Sequence, residues 1–369
     1  MHIVITGADG FIGSNLRMHL VELGHPEVAC ITLATAPDAM REALAQADFV
    51  FHLAGVNRPQ DPAEFVNGNT GLTQTVCTAL AESGRRATVV LSSSTQAAYD
   101  NPYGRSKLAA EDAVRSYGTT TGAAVHVFRL PNVFGKWAQP DYNSAVATFC
   151  HNIARGQPIT VNDQAAPLRL VYVDDVVTAF AGLLAQVDAA PITAPEVSPV
   201  YTSTVGEVAQ TLQSFADSRS TLLTPPVGTG LMRALYSTYI SYLPPDKFAY
   251  PLTQHADPRG VFVEMLKTPD CGQFSFFTAH PGITRGGHYH HSKTEKFLVI
   301  KGQARFKFRH MQTGQTHELL TSGDKPEVVE TVPGWTHDIT NIGTDEMIVM
   351  LWANEVFNRD HPDTFACPL

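Results

Sequence analysis

The chain has 369 residues, 44% hydrophobic and 17% charged, with a formal net charge of −9. That length is more than one core usually supports, so two domains are expected. The acidic balance, with no basic block or arginine-rich stripe, excludes a footprint for nucleic acid or an anionic membrane and points to a small-molecule substrate.

Residues 2–6 read as a buried strand with no charged leader before it, and no later run approaches membrane-spanning length. A helix follows from Ile12 to Leu23, then strands at 28–33, 49–53, 88–92 and 125–129, with helical patterns between them. Strands separated by helices predict a parallel, doubly wound α/β sheet. Between Leu223 and Asp257 the pattern turns irregular around Pro225-Pro226, Pro244-Pro245 and Pro251, which places a domain boundary near Leu243 and predicts domains 1–243 and 244–369. Beyond it, short β-rich segments at 261–266, 274–279, 297–300, 304–309, 325–332 and 347–352 predict a small antiparallel barrel or jelly roll. Nine of the fifteen histidines lie after residue 244, so the barrel is the expected home of a metal. The five cysteines are scattered, odd in number and without a Cys-x-x-Cys pair, which argues against disulfides and a thiolate zinc site and fits a reducing cytoplasm.

Gly7-Ala8-Asp9-Gly10-Phe11-Ile12-Gly13 follows a strand and opens a helix. Glycines there permit a tight turn and close backbone approach, and the helix N-terminus turns its free N–H groups toward a pyrophosphate. After the second strand, Thr32 to Thr35 contains no acidic residue to hold an adenosine ribose, which leans toward NADPH, although Arg41 in a neighbouring loop bears on that choice. Tyr103-x-x-x-Lys107 puts a phenol and an ammonium on one helical face. The lysine lowers the phenol's pKa and lets it exchange a proton with a carbonyl or alcohol oxygen while hydride moves. Ser92-Ser93-Ser94, shortly before, offers a hydroxyl to hold that oxygen.

In the C-terminal part, His288-Tyr289-His290, Glu295 and His337 have metal-ligand spacing. Histidines two apart on a strand point the same way, and Glu295 and His337 can converge from neighbouring strands. Three imidazoles and a carboxylate suit a divalent transition ion, zinc first, with nickel, iron and manganese also compatible. His291 points to the opposite face and is read as structural.

The N-terminal motifs resemble the extended short-chain dehydrogenase/reductases that modify nucleotide sugars. Supporting runs are 7–13, His52-Leu53-Ala54-Gly55, Ser92 to Ser94, Tyr103 to Lys107, Arg129 to Gly135 and Tyr172 to Val176. The resemblance implies a Rossmann-type sheet. It implies cofactor contacts at Gly7, Gly10, Phe11, Ile12, Gly13, Leu53, Ala54, Gly55, Tyr103 and Lys107, a catalytic set of Ser94, Tyr103 and Lys107, and a nucleotide-sugar contact at Asn132. The stretch between the serines and Tyr103 is shorter than in most sugar epimerases of that family, and Thr95 stands next to the expected hydroxyl position.

The C-terminal motifs resemble an all-β cupin jelly roll, and in particular the cupin 3-epimerases and 3,5-epimerases of nucleotide-linked 4-keto sugars, through Asp257 to Glu264 and Arg285-Gly286-Gly287-His288-Tyr289. That resemblance implies His288 as base and an arginine, Arg259 or Arg285, on the diphosphate. His288 is thus claimed both as base and as metal ligand.

Over its whole length the chain resembles bifunctional capsular-polysaccharide and O-antigen enzymes, with shared runs at 100–107, 131–137, 236–244 and 293–299. The resemblance implies 3-epimerisation of a UDP-2-acetamido-2,6-dideoxy-4-hexulose, then NADPH reduction at C4 to UDP-2-acetamido-2,6-dideoxy-L-talose, on the route to UDP-N-acetyl-L-fucosamine. Chemistry gives the same order. A C4 ketone acidifies the C3 proton through the enolate, and that route closes once C4 is an alcohol. A homodimer is expected by analogy. Two rival readings are a non-catalytic, metal-stiffened dimerisation barrel and a sugar-nucleotide-binding regulator.

Overall fold

The computed structural model describes residues 1–61, 63–142, 144–185, 192–257, 260–263, 265–266, 268, 272–355 and 360–369. It forms two compact units, one of residues 1–144 and 168–202, the other of residues 145–167 and 203–369.

The first unit opens on β1 (Ile3–Thr6), α1 (Phe11–Glu22), β2 (Val28–Ile31), α2 (Pro37–Gln46) and β3 (Phe49–His52). A short α3 (Ala63–Phe65) runs through a π-helical turn (Val66–Gly71) into α4 (Leu72–Glu82), followed by β4 (Thr88–Ser94), α5 (Pro102–Thr121), β5 (Val125–Leu130) and β6 (Asn132–Phe134). The second unit begins with α6 (Ala145–Ala154). β7 (Pro167–Tyr172), α7 (Val173–Gly182) and β8 (Ile192–Thr193) return to the first unit, and β9 (Tyr201–Thr204) leaves it. Six strands lie in the order β2-β1-β3-β4-β5-β8, and every pairing in that sheet is parallel. Parallel strands covered by helices on both faces favour apolar residues throughout, which is why β1, β2 and β3 read as near-continuous hydrophobic runs. Val4, Ile31, Val50, Leu91 and Val127 from the strands pack with Leu44, Leu80, Val114 and Tyr117 from the helices. Full burial of each such aliphatic side chain contributes about 1.5–3 kcal/mol.

The second unit continues with α8 (Val205–Thr221) and α9 (Gly230–Ser241), then β10 (Ala249–Pro251), β11 (Gln254–Asp257), β12 (Gly260–Val263) and β13 (Gln273–Ala279). Next come β14 (Thr284–Tyr289), β15 (Glu295–Lys301), β16 (Gln303–His310), β17 (Thr316–Ser322), β18 (Glu327–Glu330), β19 (Trp335–Asn341), β20 (Met347–Ala353) and β21 (Phe365–Ala366). Two antiparallel five-stranded sheets, β10-β18-β15-β20-β13 and β17-β16-β19-β14-β21, make the jelly roll.

These compact units differ from a division at residue 243. Helices α8 and α9 belong with the barrel because charged and polar side chains tie them to it. Arg219 meets Glu330 at 3.2 Å, Arg233 meets Glu355 at 2.8 Å, and Ser237 Oγ donates to the Ser292 carbonyl at 2.5 Å. Lys296, fully buried on the strand that begins with Glu295, pairs with Glu330 and lies 3.3 Å from the Tyr250 hydroxyl. The proline-rich segment also belongs to the barrel, since Phe248 packs its ring on Phe308 and Trp335 and β10 pairs with β18. Among the described residues no helix is long and apolar enough to cross a membrane.

Candidate active site and metal centre

At the end of β1 the chain turns through Gly7, whose φ of +67° is a left-handed conformation that favours glycine. A Cβ on Gly7 would stand 2.8 Å from the Ala54 nitrogen, and one on Gly13 would stand 2.1 Å from the Gly7 carbonyl oxygen. Gly10 caps α1 with backbone alone and has no side chain of its own to occupy the helix N-terminus. The expected cofactor residues are therefore brought together, with Gly7, Gly10 and Gly13 on one wall and Leu53 to Gly55 against them. Such a cradle fits the diphosphate of a dinucleotide. At the end of β2 the two threonine hydroxyls close a turn, Thr35 Oγ1 accepting from Thr32 N–H at 2.9 Å and Thr32 Oγ1 from Ala34 N–H at 3.3 Å. Arg41 lies on helix α2 rather than in a loop, exposed and 3.8 Å from the exposed Asp38 of the same helix.

A fixed run of hydrogen bonds leads from this loop toward α5. Thr73 Oγ1 donates to the Asn69 carbonyl at 2.6 Å, so it accepts from His52 Nε2 at 2.8 Å, which leaves His52 Nδ1 to accept from Thr6 Oγ1 at 2.7 Å. Burial, and secondarily the Lys107 charge, push His52 down to about 3, so the imidazole is neutral as this pattern requires. Asn69, in the π-helical turn, uses its whole amide: it accepts from Val56 N–H and donates to the Val56 carbonyl and to Ser106 Oγ. Single π turns are frequent at functional sites. No pattern in the sequence singled out His52 or Asn69 for this positioning.

Helix α5 starts cleanly, with Asn101 Oδ1 accepting from Gly104 N–H at 2.8 Å and Pro102 as its first residue. The short approach from β4 is possible because Gly104 lets the helix touch the preceding turn, where a Cβ would come within 2.3 Å of the Gln96 and Tyr99 carbonyl oxygens. Ser94 caps that turn, accepting from Gln96 N–H at 3.1 Å, and its hydroxyl is hydrogen-bonded to Tyr103. Thr95 begins the turn itself. Burial raises the Tyr103 phenol above its ordinary range, and the Ser94 bond opposes that rise. Lys107 Nζ lies 6.0 Å from the Tyr103 ring centre and donates to the Ser92 carbonyl at 3.1 Å. Gly55 borders it, since a Cβ there would be 3.2 Å from Lys107 Nζ.

One turn beyond Lys107 stands Glu111, fully buried, which sequence reasoning missed. It accepts from Ser93 Oγ at 2.6 Å and from Arg129 through two bonds of 2.8 and 2.7 Å. Its burial would raise the carboxyl pKa, but Arg129 and Ser93 hold it below the usual carboxylate range. The i, i+4, i+8 spacing of Tyr103, Lys107 and Glu111 on one helix face was the available signal. Asn132 is exposed on β6 and donates to the Arg169 carbonyl at 3.0 Å.

In the barrel, His288, His290, Glu295 and His337 bring four donor atoms within 4.8 Å of one another, with only His288 less than fully buried. His288 on β14 is the register partner of His337 on β19, after an irregularity between Gly286 and His288. Glu295 begins β15 in the facing sheet, so it and His337 converge from opposite sheets rather than from neighbouring strands. His290 lies just past the end of β14, and its Nε2 is 3.2 Å from Glu295 Oε2. Among the described residues neither ring nitrogen of buried His337 has a hydrogen-bond partner, Glu295 Oε2 standing 3.7 Å from its Nε2, and Lys293 stands 3.1 Å from Glu295. Burial would raise Glu295, yet the neighbouring His290 and His337 rings and the Lys293 ammonium hold its carboxyl well below the usual carboxylate range. Burial, then His337 and His290, push His288 down to about 4, leaving a neutral imidazole. Orphaned imidazole nitrogens beside a carboxylate fit a divalent transition ion. Arg285 is exposed, stacked 5.2 Å from the Phe277 ring centre, and Arg259 lies outside the described residues.

Residues 3–194 match the model of the NAD dependent epimerase/dehydratase family, and residues 255–365 match that of the polysaccharide biosynthesis C-terminal domain. The chain is 57% identical over 367 residues to a UDP-2-acetamido-2,6-beta-L-arabino-hexul-4-ose reductase of Pseudomonas aeruginosa, covering 100% of this chain and 98% of that one. A shorter likeness, 23% identity over 127 residues, spans 32% of this chain and 84% of the spore coat polysaccharide biosynthesis protein SpsL of Bacillus subtilis. Among solved structures, the capsular polysaccharide assembling protein CapF of Staphylococcus aureus is 43% identical, covers 100% of both chains and superposes with a TM-score of 0.69. On these matches, the chain belongs to the NAD dependent epimerase/dehydratase family, among the capsular polysaccharide UDP-sugar enzymes that carry a polysaccharide biosynthesis C-terminal domain.

Proposed function

We propose that the chain reduces the C4 ketone of a UDP-linked 2-acetamido-2,6-dideoxy-4-hexulose with NADPH, after inverting C3 of the same sugar in its barrel, and so forms UDP-2-acetamido-2,6-dideoxy-L-talose. The observation that carries the reduction is the contact between the Ser94 hydroxyl and the Tyr103 phenol, with Lys107 beside them and the glycine cradle adjoining. A bound reduced nicotinamide supplies the hydride. Tyr103 gives its proton to the C4 oxygen, Ser94 holds that oxygen by a hydrogen bond, and the Lys107 ammonium stabilises the phenolate left behind. A cytoplasmic homodimer is part of this reading, as is the division into a reductase of residues 1–243 and an epimerase barrel of residues 244–369, with α8 and α9 of the first stretch packed on that barrel.

For the epimerisation, removal of the C3 proton needs a base, and the enolate needs a positive partner at its oxygen. A divalent ion held by His290, Glu295, His337 and His288 supplies Lewis acidity when bound. His288, the half-buried member, is either its fourth ligand or the base, since a bound metal occupies the lone pair that a base requires. A second reading is favoured by the completeness of the donor set: four protein ligands are the mark of a structural zinc site, whereas catalytic sites keep a position open. Incubation of the full chain with the UDP-linked 4-keto sugar in deuterated water, with and without NADPH, tests the proposal. It requires deuterium at C3 without NADPH and an alcohol at C4 only with it. No exchange at C3 favours the structural reading of the barrel.

The cofactor preference is expected to show as a higher kcat/KM with NADPH than with NADH, because no carboxylate stands at Thr32 to Thr35 to repel a 2′-phosphate. Equal efficiency would show that Asp38, beside Arg41, restores the missing negative charge.

Burial brings Lys107 down to about 8, while the Glu111 charge holds it up. The ammonium is present below that value and lost above it, so reduction is expected to fall as pH rises through about 8. Glu111→Gln removes the supporting charge and should move this limb to lower pH. A pH–rate profile whose limb stays in place would remove Glu111 from the catalytic arrangement.

A further inference from the structure

We infer that Asp363 is a positioning residue of the barrel's metal centre, holding the turn that carries His290 and Glu295 in ligating geometry. This rests on the reading of the four donors as a metal site. Residues 291–294 join those two ligands without belonging to a helix or strand, so their backbone N–H groups have no ladder to bond into. The Asp363 carboxylate takes that place. It accepts from three successive backbone N–H groups, those of His291, Ser292 and Lys293, at 2.9, 2.7 and 2.7 Å, and from Ser292 Oγ at 3.0 Å.

The same residue also acts through its main chain. The Asp363 carbonyl oxygen lies 2.5 Å from His290 Nδ1. A carbonyl can only accept, so His290 carries its proton on Nδ1 and turns the Nε2 lone pair toward Glu295 and the donor cluster. Second-sphere partners of this kind fix the tautomer and ring plane of a ligating histidine. Asp363 is itself anchored from two sides. Behind it, β21 pairs with β14 at His288 and Tyr289, and Cys367 N–H donates to the Gly287 carbonyl at 2.7 Å. On the other side Arg233 of α9 reaches Ser292 Oγ and Glu355, and lies 3.7 Å from the Asp363 carboxylate. A residue near the C-terminus thus completes a centre whose ligands lie up to 75 positions earlier, which is why spacing around the histidines did not find it.

The test uses the full-length apoprotein, Zn²⁺ alone as probe, and chelator competition to measure affinity. Asp363→Ala should weaken Zn²⁺ binding by roughly 10–100-fold although all four ligands remain. Asp363→Asn, nearly isosteric, should weaken it in the same direction because its amide N–H₂ faces backbone donors. It also keeps the test decisive if the alanine variant fails to fold. The visible spectrum of the Co²⁺-substituted protein should change with the altered ligand geometry. A merely structural role would lower thermal stability yet leave the Zn²⁺ affinity and the Co²⁺ spectrum unchanged, and that result overturns the proposal. A wild-type chain that binds no Zn²⁺ overturns the metal reading with it. Exchange at C3 is not a readout here, so the epimerase assignment stands or falls separately.

Discussion

Tyr103→Phe is expected to abolish NADPH consumption with the 4-keto sugar while cofactor affinity stays within about twofold of the parent. The phenol is an acid hydrogen-bonded to Ser94, and a positioned acid contributes typically about 10²–10⁴-fold to such a step. Loss of the hydroxyl disturbs little else, because the ring's packing on Phe65, with centres 5.5 Å apart, needs no oxygen. The glycine cradle is built from Gly7, Gly10, Gly13 and the 53–55 turn, so it is untouched by the change. The measurements are absorbance of NADPH during turnover and titration of NADPH against the variant. Substantial turnover would mean that another group delivers the proton, and the shared hydrogen bond between Ser94 and Tyr103 would then serve structure alone.

The first sheet was readable because a strand covered by helices on both faces has one requirement, apolarity at every position. β1 and β3 meet it almost throughout, β4 and β5 do so through Val89 to Leu91 and through Val125, Val127, Phe128 and Leu130, and the ends of all four fall within two residues of expectation. The barrel obeys a different rule. Strands such as β15 and β20 pack both faces and read as hydrophobic runs, whereas β14 (Thr-Arg-Gly-Gly-His-Tyr) and β19 (Trp-Thr-His-Asp-Ile-Thr-Asn) are broken by polar residues, in β19 by Thr336, Asp338 and Thr340 on the face opposite His337. The four donors were found by spacing, and the fold brings all four together.

Residues that act through others were harder to find. Glu111, Asn69 and Asp363 each satisfy groups far away in sequence, Glu111 reaching Arg129, Asn69 reaching Ser106, and Asp363 reaching the 291–293 amides. Asn69 and Asp363 carry no periodicity, and the helical step from Lys107 to Glu111 gives no sign of Arg129, so only the folded geometry shows these partners. The compact units divide the chain elsewhere than at 243 for a related reason. Prolines and tyrosines around 244–251 look like a linker by composition, yet Lys296 and Glu330 need Arg219 and Tyr250 around them to be buried at all. A fragment of residues 244–369 would expose that charged group, so tests of the barrel belong on the full chain.

His290→Ala and His337→Ala are expected to lower bound metal by more than about 10²-fold, since removal of a ligand exceeds the usual effect of a second-sphere change. If the ion polarises the C4 carbonyl, exchange of the C3 proton in deuterated water without NADPH falls in the same two variants, because the enolate loses its positive partner. Tyr103→Phe is the internal control: it leaves the barrel unchanged and should exchange C3 at the parent rate while reducing nothing. His288→Ala then divides the two roles of that residue. Metal lost together with exchange makes His288 a ligand, whereas metal retained with exchange reduced about 10²–10⁴-fold makes it the base. Should the His290 and His337 variants lose metal yet keep full exchange, the ion only stiffens the jelly roll. Should exchange persist in all three histidine variants, C3 inversion does not take place in the barrel, and the chain is a 4-keto reductase with a structural second unit.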